Sequence, residues 1–286
     1  MDRIFRFEMA VKTGLMVTLA LAVIFAAGCP RKQGKSSQTP PSSASSEKKT
    51  PKLETKIQPP AAAEQPPKPA LPEPPDFQPY ESMHFAEEKI AFITKYADEH
   101  PGSKAGMVYK VLDDNDVKVR KTAMEMLSIE DLDDPNILYV AAKALKDSEP
   151  EVRKSAIEAC SAITNPAVEN VLLAAIGNSS QEVRTRAIQI AAQKDPAICL
   201  SVLKAGITSS YEDVKEDSVS ALVDVSSPAA MDILITGLKD AEPDFRYNVR
   251  TEIDFLISQK FDTYDQAKKW WDANRSKFND NLSEKD

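Results

Sequence analysis

The feature that most constrains the fold is a short segment that recurs five times along the chain. Each copy has a basic residue at its fourth position, with valine or phenylalanine directly before it. The copies read VKVRKTAMEML from residue 117, PEVRKSAIEAC from 150, QEVRTRAIQIA from 181, EDVKEDSVSAL from 212 and PDFRYNVRTEI from 243. The basic residues lie 33, 31, 31 and 31 positions apart. A period of this length with helical patterning predicts a solenoid, in which each unit stacks only on its neighbours.

A second series of motifs alternates with the first and marks another helix in each unit. In each motif a residue with a short polar side chain stands before a proline. At the N-cap such a side chain accepts a hydrogen bond from a backbone amide, and proline at the first helical position loses no bond. We therefore predict two helices of about 12 residues per unit. The motifs are Asp134-Pro135, Asn165-Pro166, Asp195-Pro196 and Ser227-Pro228.

A polar residue stands six positions before each basic residue. The pairs are Asp114 and Arg120, Asp147 and Arg153, Asn178 and Arg184, Ser209 and Lys215, and Asp240 and Arg246. This Asp-x5-Arg pattern, with valine before the basic residue, resembles the short bacterial HEAT-like form of the HEAT repeat over about residues 103–258. The patterns of tetratricopeptide and ankyrin units are absent from the sequence. The resemblance implies an all-α fold, a right-handed α-α superhelix of about five two-helix repeats.

The resemblance also implies a structural role for these pairs. In HEAT-like proteins they form a ladder, in which each arginine bonds carboxylates or carbonyls of its own and the neighbouring unit. We therefore expect packing rather than ligand binding, with Asp147 among the partners of Arg153. The third and fourth units depart from the pattern at Asn178, Ser209 and Lys215, which lack a charge or the planar guanidinium. We expect the third and fourth units to be the least stable part of the array.

Both ends of the array need helices that cover the exposed core. An amphipathic helix is predicted at 82–100, within an N-terminal capping segment 81–102, with one stripe of Ala86, Ile90, Ile93 and Ala97. A final helix is predicted at 263–278, within the C-terminal segment 259–286. Its apolar face contains Ala267, Trp271 and Phe278, and the segment is similar to a Trp-Trp/Asn-Arg tail of some bacterial HEAT-repeat proteins. Trp270 points elsewhere, and we interpret it as a packing residue at the rim, with a partner contact as the alternative.

Residues 1–28 predict a lipoprotein signal peptide. A weakly basic start precedes an uncharged apolar run from Gly14 to Gly28, which is shorter than the roughly 20 residues that span a bilayer. The run ends in Ala-Ala-Gly before Cys29, which resembles a bacterial lipobox and implies cleavage before Cys29 and lipid attachment to its thiol. By the same resemblance, Pro30 favours the outer membrane if the cell has one. The alternative is an ordinary signal peptide cut after Gly28, with Cys29 incidental.

Residues 29–80 predict a disordered tether. Of the 20 prolines in the chain, 13 fall between Pro30 and Pro79, and aromatic residues are nearly absent there. Such a composition buries too little apolar surface to fold. In an extended polyproline form the segment would reach roughly 150 Å. The alternative is a spacer without a required length.

The charge distribution excludes one class of partner. Residues 1–28 and 29–80 carry net charges of +1 and +3, so the formal −8 of the chain leaves −12 for residues 81–286. An acidic domain is repelled by phosphate backbones and anionic lipid surfaces. We predict that nucleic acid is not a partner.

Residues that could support catalysis are dispersed in the sequence. His84 and His100 stand 16 positions apart in one predicted helix, about 24 Å along its axis. Cys160 and Cys199 occupy apolar positions two units apart, which predicts free thiols. Two acidic clusters lie in predicted turns without EF-hand spacing, and a calcium site there is the weaker interpretation. The clusters are Asp113, Asp114 and Asp116, and Asp131, Asp133 and Asp134. We predict no catalytic, cofactor or metal site.

The sequence thus predicts a lipid-anchored, non-enzymatic scaffold in the cell envelope that binds a protein or peptide. A chromophore-lyase relative is an alternative, because short HEAT-like units resemble those of bilin lyases. That function would require polar catalytic residues around a pigment-binding groove. A structural envelope component without a discrete partner is a further alternative.

Overall fold

A computed structural model of the chain describes residue 71, residues 73–127 and residues 135–285. These residues contain 13 α-helices and three short 3-10 helices, and their only β-type pairing is an isolated bridge between Phe278 and Glu284. The helices stack in pairs along the chain. The predicted all-α solenoid is therefore confirmed. No helix in the described ranges is both long enough and apolar enough to cross a membrane.

The helices fall into two layers and two ends. We call the first helix of each unit its A helix and the second its B helix. The A helices are α3 (Lys104–Val111), α5 (Pro135–Ala144), α7 (Val168–Ala175), α9 (Pro196–Gly206) and α11 (Pro228–Leu234). The B helices are α4 (Val117–Glu125), α6 (Pro150–Ala159), α8 (Gln181–Ala192), α10 (Glu212–Val225) and α12 (Pro243–Ile257). The ends contain α1 (Gln78–Glu81), α2 (Ala86–Glu99) and α13 (Tyr264–Asn274), and the 3-10 helices are Pro101–Ser103, Ile235–Lys239 and Arg275–Lys277.

Every B helix begins at the residue that the repeat predicts, because the same turn precedes it in each unit. The residue six positions before the basic residue accepts a hydrogen bond from the backbone amide two residues later, as Asp147 does from Glu149 at 2.9 Å. A side chain that bonds its own backbone in this way stabilises a turn. The other four bonds join Asp114 to Asp116, Asn178 to Ser180, Ser209 to Tyr211 and Asp240 to Glu242.

The Pro motifs before the A helices behave less uniformly than predicted. Ser227 caps α11, because its Oγ accepts a bond from the Ala230 amide at 3.1 Å. Asp195 is the N-cap of α9 but makes no capping bond through its side chain. The prediction is wrong for Asn165, because its Oδ1 bonds the Ala167 amide in a turn and α7 begins only at Val168. Asp134 lies outside the described residues.

The core is a continuous layer between the A and B helices. The residue before each basic residue is buried in every unit, as Val119, Val152, Val183, Val214 and Phe245. On the facing side, Ile137, Val140, Ala141 and Ala144 of α5 and the following Leu145 are also buried. Burying each such side chain contributes about 1.5–3 kcal/mol. The register of the repeat is therefore fixed by burial as well as by the turns.

The N-terminal end contains an additional B helix rather than a simple cap. Helix α2 packs on α4 as one B helix packs on the next, and its Lys89 stands 31 residues before Arg120. Of the predicted stripe, Ile93 and Ala97 are buried, whereas Ala86 and Ile90 are only partly buried. The sequence interpretation missed this register, because the position before Lys89 is Glu88 rather than valine.

Aromatic side chains cover the outer side of α2. Phe77 stacks on Tyr80 at 4.8 Å between ring centroids and meets Tyr96 edge-on at 5.3 Å. Phe77 and Tyr80 are 5% and 8% exposed. Both belong to the segment that was predicted to be a tether ending at residue 80. That boundary is wrong, because the packed core begins at least as early as Phe77.

The C-terminal helix α13 covers the A side of the last unit. Ala267, Trp271 and Phe278 are buried together, on the face that the sequence predicts. The Trp271 indole Nε1 donates a hydrogen bond to Asp232 Oδ1 of α11 at 2.6 Å, and Arg275 pairs with the same carboxylate at 3.0 Å. Because indole has one donor and a large apolar surface, it can fill the core and still satisfy its polar atom.

Trp271→Ala is expected to lower the free energy of unfolding by about 3–5 kcal/mol, because it leaves a large cavity at the end of the core. Urea denaturation would measure the change. Trp270→Ala is the matched control, since Trp270 is only partly buried against the core. We expect a smaller loss for it, and equal losses would show that Trp271 does not close the array.

Candidate interaction surface

The basic residues of the repeat first bond the turn of their own unit. Arg120 donates from Nη1 to the backbone carbonyl of Asp114 at 2.8 Å, and Arg153 donates likewise to Asp147 at 2.8 Å. Arg184 and Arg246 bond the carbonyls of Asn178 and Asp240 at 2.8 and 2.7 Å. These bonds orient each guanidinium along the B-helix layer.

The rest of each basic side chain reaches the following unit. Arg120 donates two bonds to the Asp147 carboxylate at 2.8 and 2.9 Å, and Lys215 bonds Asp240 at 3.0 Å. Asp147 is among the partners of Arg153, as expected, but it accepts through its backbone carbonyl and not through its side chain. Arg153 meets only the carbonyl of Asp147, and its Nε donates to Asn178 Oδ1 at 3.1 Å. We call each bond from a basic residue to a side chain of the next unit a rung.

The rung between the third and fourth units uses a residue that the repeat pattern does not mark. Arg184 donates two bonds to the Asp213 carboxylate, both at 2.9 Å, and its guanidinium lies 3.9 Å from the Tyr211 ring centroid. Ser209, at the repeat position, only bonds the Tyr211 amide in its own turn. The expected loss of charge at this rung is wrong, because Asp213 in the first turn of α10 supplies the carboxylate.

The rungs are buried, and this sets the pKa values of their acids. Arg120, Arg153, Arg184 and Lys215 are between 7% and 9% exposed. Burial alone would raise the pKa of the Asp147 carboxyl. The hydrogen bond from Arg120, then the bond from the Glu149 amide and the charge of Arg120, outweigh burial and hold the pKa below its usual value.

The first rung closes the N-terminal end of the ladder. Lys89 Nζ bonds Asp114 Oδ2 at 2.6 Å, and the Tyr80 hydroxyl donates to the same oxygen at 2.7 Å. Burial, and then the hydrogen bond and charge of Asp114, raise the pKa of Tyr80. The pKa of Asp114 is lowered, because these two bonds and that of the Asp116 amide outweigh the effect of burial.

Arg120→Ala is expected to lower the free energy of unfolding by about 2–3 kcal/mol, between the values for buried and exposed pairs. The change leaves the buried Asp147 carboxylate without its cation. Lys121→Ala is the matched control, because Lys121 is 40% exposed and its pairs with Glu125 and Glu151 are at 3.7 and 3.5 Å. For Lys121→Ala, we expect urea denaturation to show a decrease of less than about 1 kcal/mol in the free energy of unfolding.

The pH dependence of stability provides a second measurement on Arg120→Ala. Because the pKa of Asp147 is lowered in the folded state, its contribution is full above the unfolded value of about 3.9 and is lost as the pH falls. Without Arg120, the pKa of Asp147 in the folded state should rise towards its unfolded value. The free energy of unfolding should therefore decrease less as the pH falls. An unchanged pH profile would show that Arg120 does not stabilise the charged form of Asp147.

Asp213→Ala is expected to cost about 2–3 kcal/mol in the free energy of unfolding, because it leaves Arg184 buried without a carboxylate. Ser209→Ala should cost about 1 kcal/mol or less, since it removes one bond within a turn. A larger effect at Ser209 than at Asp213 in thermal denaturation would contradict the assignment of the rung to Asp213.

A groove follows the solvent side of the B helices over the first three units. Its charged side chains pair between units, as Lys121 with Glu151 at 3.5 Å, Lys154 with Glu182, and Arg186 with Glu158 at 2.7 Å. Two adjoining concave volumes of about 190 and 780 Å³ share Lys154 and Glu158 in their lining. The larger volume is also lined by Thr185 and Gln189 of α8. The groove is therefore polar and spans successive units.

The remaining B-helix surface has a different chemistry. Glu216, Asp217 and Asp224 of α10 and Asp244 of α12 form no hydrogen bond or ion pair with any described residue. Glu216, Asp224 and Asp244 are exposed and give this part of the surface a negative charge, whereas one carboxylate oxygen of Asp217 is buried without a hydrogen-bond partner. The exposed carboxylates repel phosphate groups.

The other residues singled out in the sequence have structural environments. Asp116 caps α4, and Asp113 pairs with Lys143 at 2.8 Å. Cys160 and Cys199 are buried free thiols, and burial raises the pKa of Cys160 to about 12. Across the described ranges, no group of His, Cys, Asp and Glu side chains could hold a metal ion. Cys29, Asp131, Asp133 and Asp134 lie outside the described residues.

Trp270 and the histidines do not form a site together. Trp270 packs on Phe261 at 5.6 Å and on Phe278 at 6.2 Å between ring centroids. His84 is exposed, and His100 lies 4.5 Å from the Tyr96 ring centroid. These contacts match the interpretation of Trp270 as a packing residue at the rim.

Comparison with known proteins supports the assignment of the repeat. Residues 107–191 match the family model of HEAT repeats. This part of the chain is similar to HEAT repeats. The match covers the first two units and most of the third, including the rungs from Arg120 to Asp147 and from Arg153 to Asn178. No curated protein matches the chain.

Solved repeat proteins resemble the chain at low identity. The designed armadillo repeat protein YIII(Dq)4CqI is 17% identical, with a TM-score of 0.36, and the match covers 64% of this chain and 100% of that chain. The designed armadillo repeat protein YIII(Dq.V1)4CPAF, in complex with the peptide (KR)4, is 20% identical over 64% and 95%, with a TM-score of 0.35. Computationally designed armadillo repeat proteins for modular peptide recognition are 18% identical over 58% and 85%, with a TM-score of 0.33.

Proposed function

We propose that the chain is a non-enzymatic scaffold that binds a protein or peptide partner in the groove of the B helices. The observation that carries this proposal is the row of exposed ion pairs that line the groove. Lys154 and Glu182 are 45% and 59% exposed, and Arg186 and Glu158 are 31% and 39% exposed. Exposed pairs of this kind contribute little to stability, so a partner can replace them at small cost.

The ladder makes such an exchange compatible with a rigid surface. The buried rungs hold the B helices in register, whereas the groove pairs lie on the solvent side of the same helices. A partner segment can thus break groove pairs and form its own without unfolding a unit. The groove contains both charges in alternation, which favours a polar segment of mixed charge. Its length over several units fits an extended segment better than a compact small molecule.

Site-specific photo-crosslinking tests the proposed binding face. A benzophenone amino acid at Thr185, in the groove, should cross-link a discrete partner in intact cells. The same group at Lys204, an exposed residue of the A helix α9, is the matched control and should not. The double variant Lys154→Glu and Arg186→Glu should reduce the Thr185 product at least several-fold. Equal cross-linking at Thr185 and Lys204 would contradict the proposal.

We further propose that lipid on Cys29 anchors this scaffold in the cell envelope, with the outer membrane favoured if the cell has one. The support is the sequence Ala-Ala-Gly-Cys at residues 26–29, after an apolar run of signal-peptide length. Several acyl chains on one residue would anchor a protein stably, at roughly 0.8 kcal/mol per buried CH₂. The proline-rich segment after Cys29 would let the folded part reach partners away from the membrane.

Cys29→Ala should release the protein from the membrane fraction or leave its signal peptide uncleaved, because no thiol remains to receive lipid. Cell fractionation and mass spectrometry of the mature N-terminus measure both effects. Cys199→Ala is the control, since Cys199 is buried in α9, and this variant should stay membrane-bound. An unmodified mature N-terminus in the wild-type protein would contradict lipid attachment.

A further inference from the structure

The ladder ends at α12 with a basic residue that has no rung. Arg246 makes the bonds of its own unit, from Nη1 to the carbonyls of Asp240 and Ala241, both at 2.7 Å. In this respect it matches Arg153, which bonds Asp147 and Ser148 in the same way. Its Nε and Nη2 donate to no described residue, and no described carboxylate lies within 4.0 Å of the guanidinium. The Arg246 guanidinium is therefore oriented for a rung, but no described side chain accepts that bond.

A second arginine stands beside it, where the other units have an apolar residue. The eighth position of the B helix is Met124, Ile157, Ile188 and Val219 in the first four units, and these are at most 3% exposed. In α12 that position is Arg250, which is only partly buried. Its Nε bonds the Arg246 carbonyl at 3.3 Å, and it too has no ion pair with a described carboxylate. Two guanidinium groups without an ion pair to a described carboxylate thus lie next to each other on α12, although the same helix also carries Asp244, Glu252 and Asp254.

Helix α12 also carries two exposed aromatic rings, of which Tyr247 lies next to the arginines. Tyr247 and Phe255 are 68% and 75% exposed, and they lie two helical turns apart with Thr251 between them. Tyr247 occupies the fifth position of its B helix. In the first two units that position holds Lys121 and Lys154, which reach into the next unit. We call Arg246, Tyr247 and Arg250 the C-terminal face; Phe255, nine residues after Arg246, lies on the opposite side of α12.

We propose that the C-terminal face binds an acidic helical segment of a partner protein, which takes the place of a sixth unit and completes the rung of Arg246. The acceptor of each inner rung stands in the turn before a B helix or in its first turn, as Asp147 and Asp213 do. The partner segment therefore has an Asp or Glu at the start of a helix. An apolar residue farther along that helix packs on Tyr247. Two guanidinium groups bind such a carboxylate with charge-assisted hydrogen bonds.

Other occupants fit this face less well. The chain segment before Phe77 has a net charge of +3 over residues 29–76, so it is repelled by two arginines. A second copy stacked head to tail would have to offer Asp114, the first ladder acid. That carboxylate is already bound by Lys89 and Tyr80 and lies beside α1. An anionic lipid surface is wide enough to face the acidic remainder of the folded part and is repelled by it, whereas one short helix meets only the surface around the two arginines.

The proposal can be tested with a synthetic peptide that copies residues 205–225, because its Asp213 completes a rung within the chain itself. Fluorescence anisotropy with the purified full-length protein should show binding. The Arg246→Gln and Arg250→Gln double variant should weaken it at least tenfold, and so should Asp213→Asn in the peptide. The variant should remain folded with a slightly lower melting temperature, since Arg246 loses its two bonds to turn carbonyls but neither arginine loses a carboxylate partner. Arg186→Gln, in the groove, is the matched control and should not change the affinity.

Several outcomes would overturn the proposal. Absence of peptide binding, or equal binding by the double variant, would show that the two arginines do not recognise an acidic helix. Inorganic phosphate that competes as strongly as the peptide would indicate a simple anion site. Sedimentation that shows a dimer lost in the double variant would assign the face to a second copy. The groove proposal is unaffected by these outcomes, because its test uses Thr185 and not this face.

Discussion

The structure depends on one contact that repeats between units: a buried basic side chain that bonds the carbonyl of its own turn and a side chain of the next unit. Arg120 shows the full arrangement, with one bond to Asp114 and two to Asp147. A guanidinium can do both because its donors are fixed in one plane and point in different directions. Lys215, with a single nitrogen, bonds only the acid of the next unit. Each arginine rung therefore couples the turn before one B helix to the start of the following B helix.

The sequence predicted the elements of the fold more accurately than their contacts. All five B helices begin where the repeat places them, because the turn residue and the buried valine or phenylalanine act within a few positions of each other. Asp147 was correctly expected among the partners of Arg153, but only its carbonyl takes part, and Asn178 of the next unit accepts the other bond. Spacing along the chain gives the period, but it does not show which of two adjacent turns a long side chain reaches. Asp213 was missed for the same reason, since its role depends on the position of α10 relative to Arg184.

The two ends of the array are closed in different ways, and the comparison shows what a rung contributes. At the N-terminal end, Lys89 and Tyr80 occupy Asp114, and aromatic rings cover the outer side of α2. The spacing of 31 residues from Lys89 to Arg120 was present in the sequence, but Glu88 stands where the pattern requires valine. At the C-terminal end, α13 binds the A-helix layer through Trp271 and Asp232. The acceptor for Arg246 is not supplied by any described residue.

The rungs are buried and the groove pairs are exposed, and this difference explains how a repeat array can bind partners without unfolding. Buried rungs are costly to break, so they maintain the register of the B helices, whereas exposed pairs such as Lys154 with Glu182 exchange readily with a partner. Because each unit contacts only its neighbours, a partner that replaces pairs on α6 and α8 perturbs those units and little else. A partner on α12 would instead extend the ladder by one rung. The two proposed surfaces therefore differ in mechanism: one exchanges weak contacts along the array, and the other completes its last strong one.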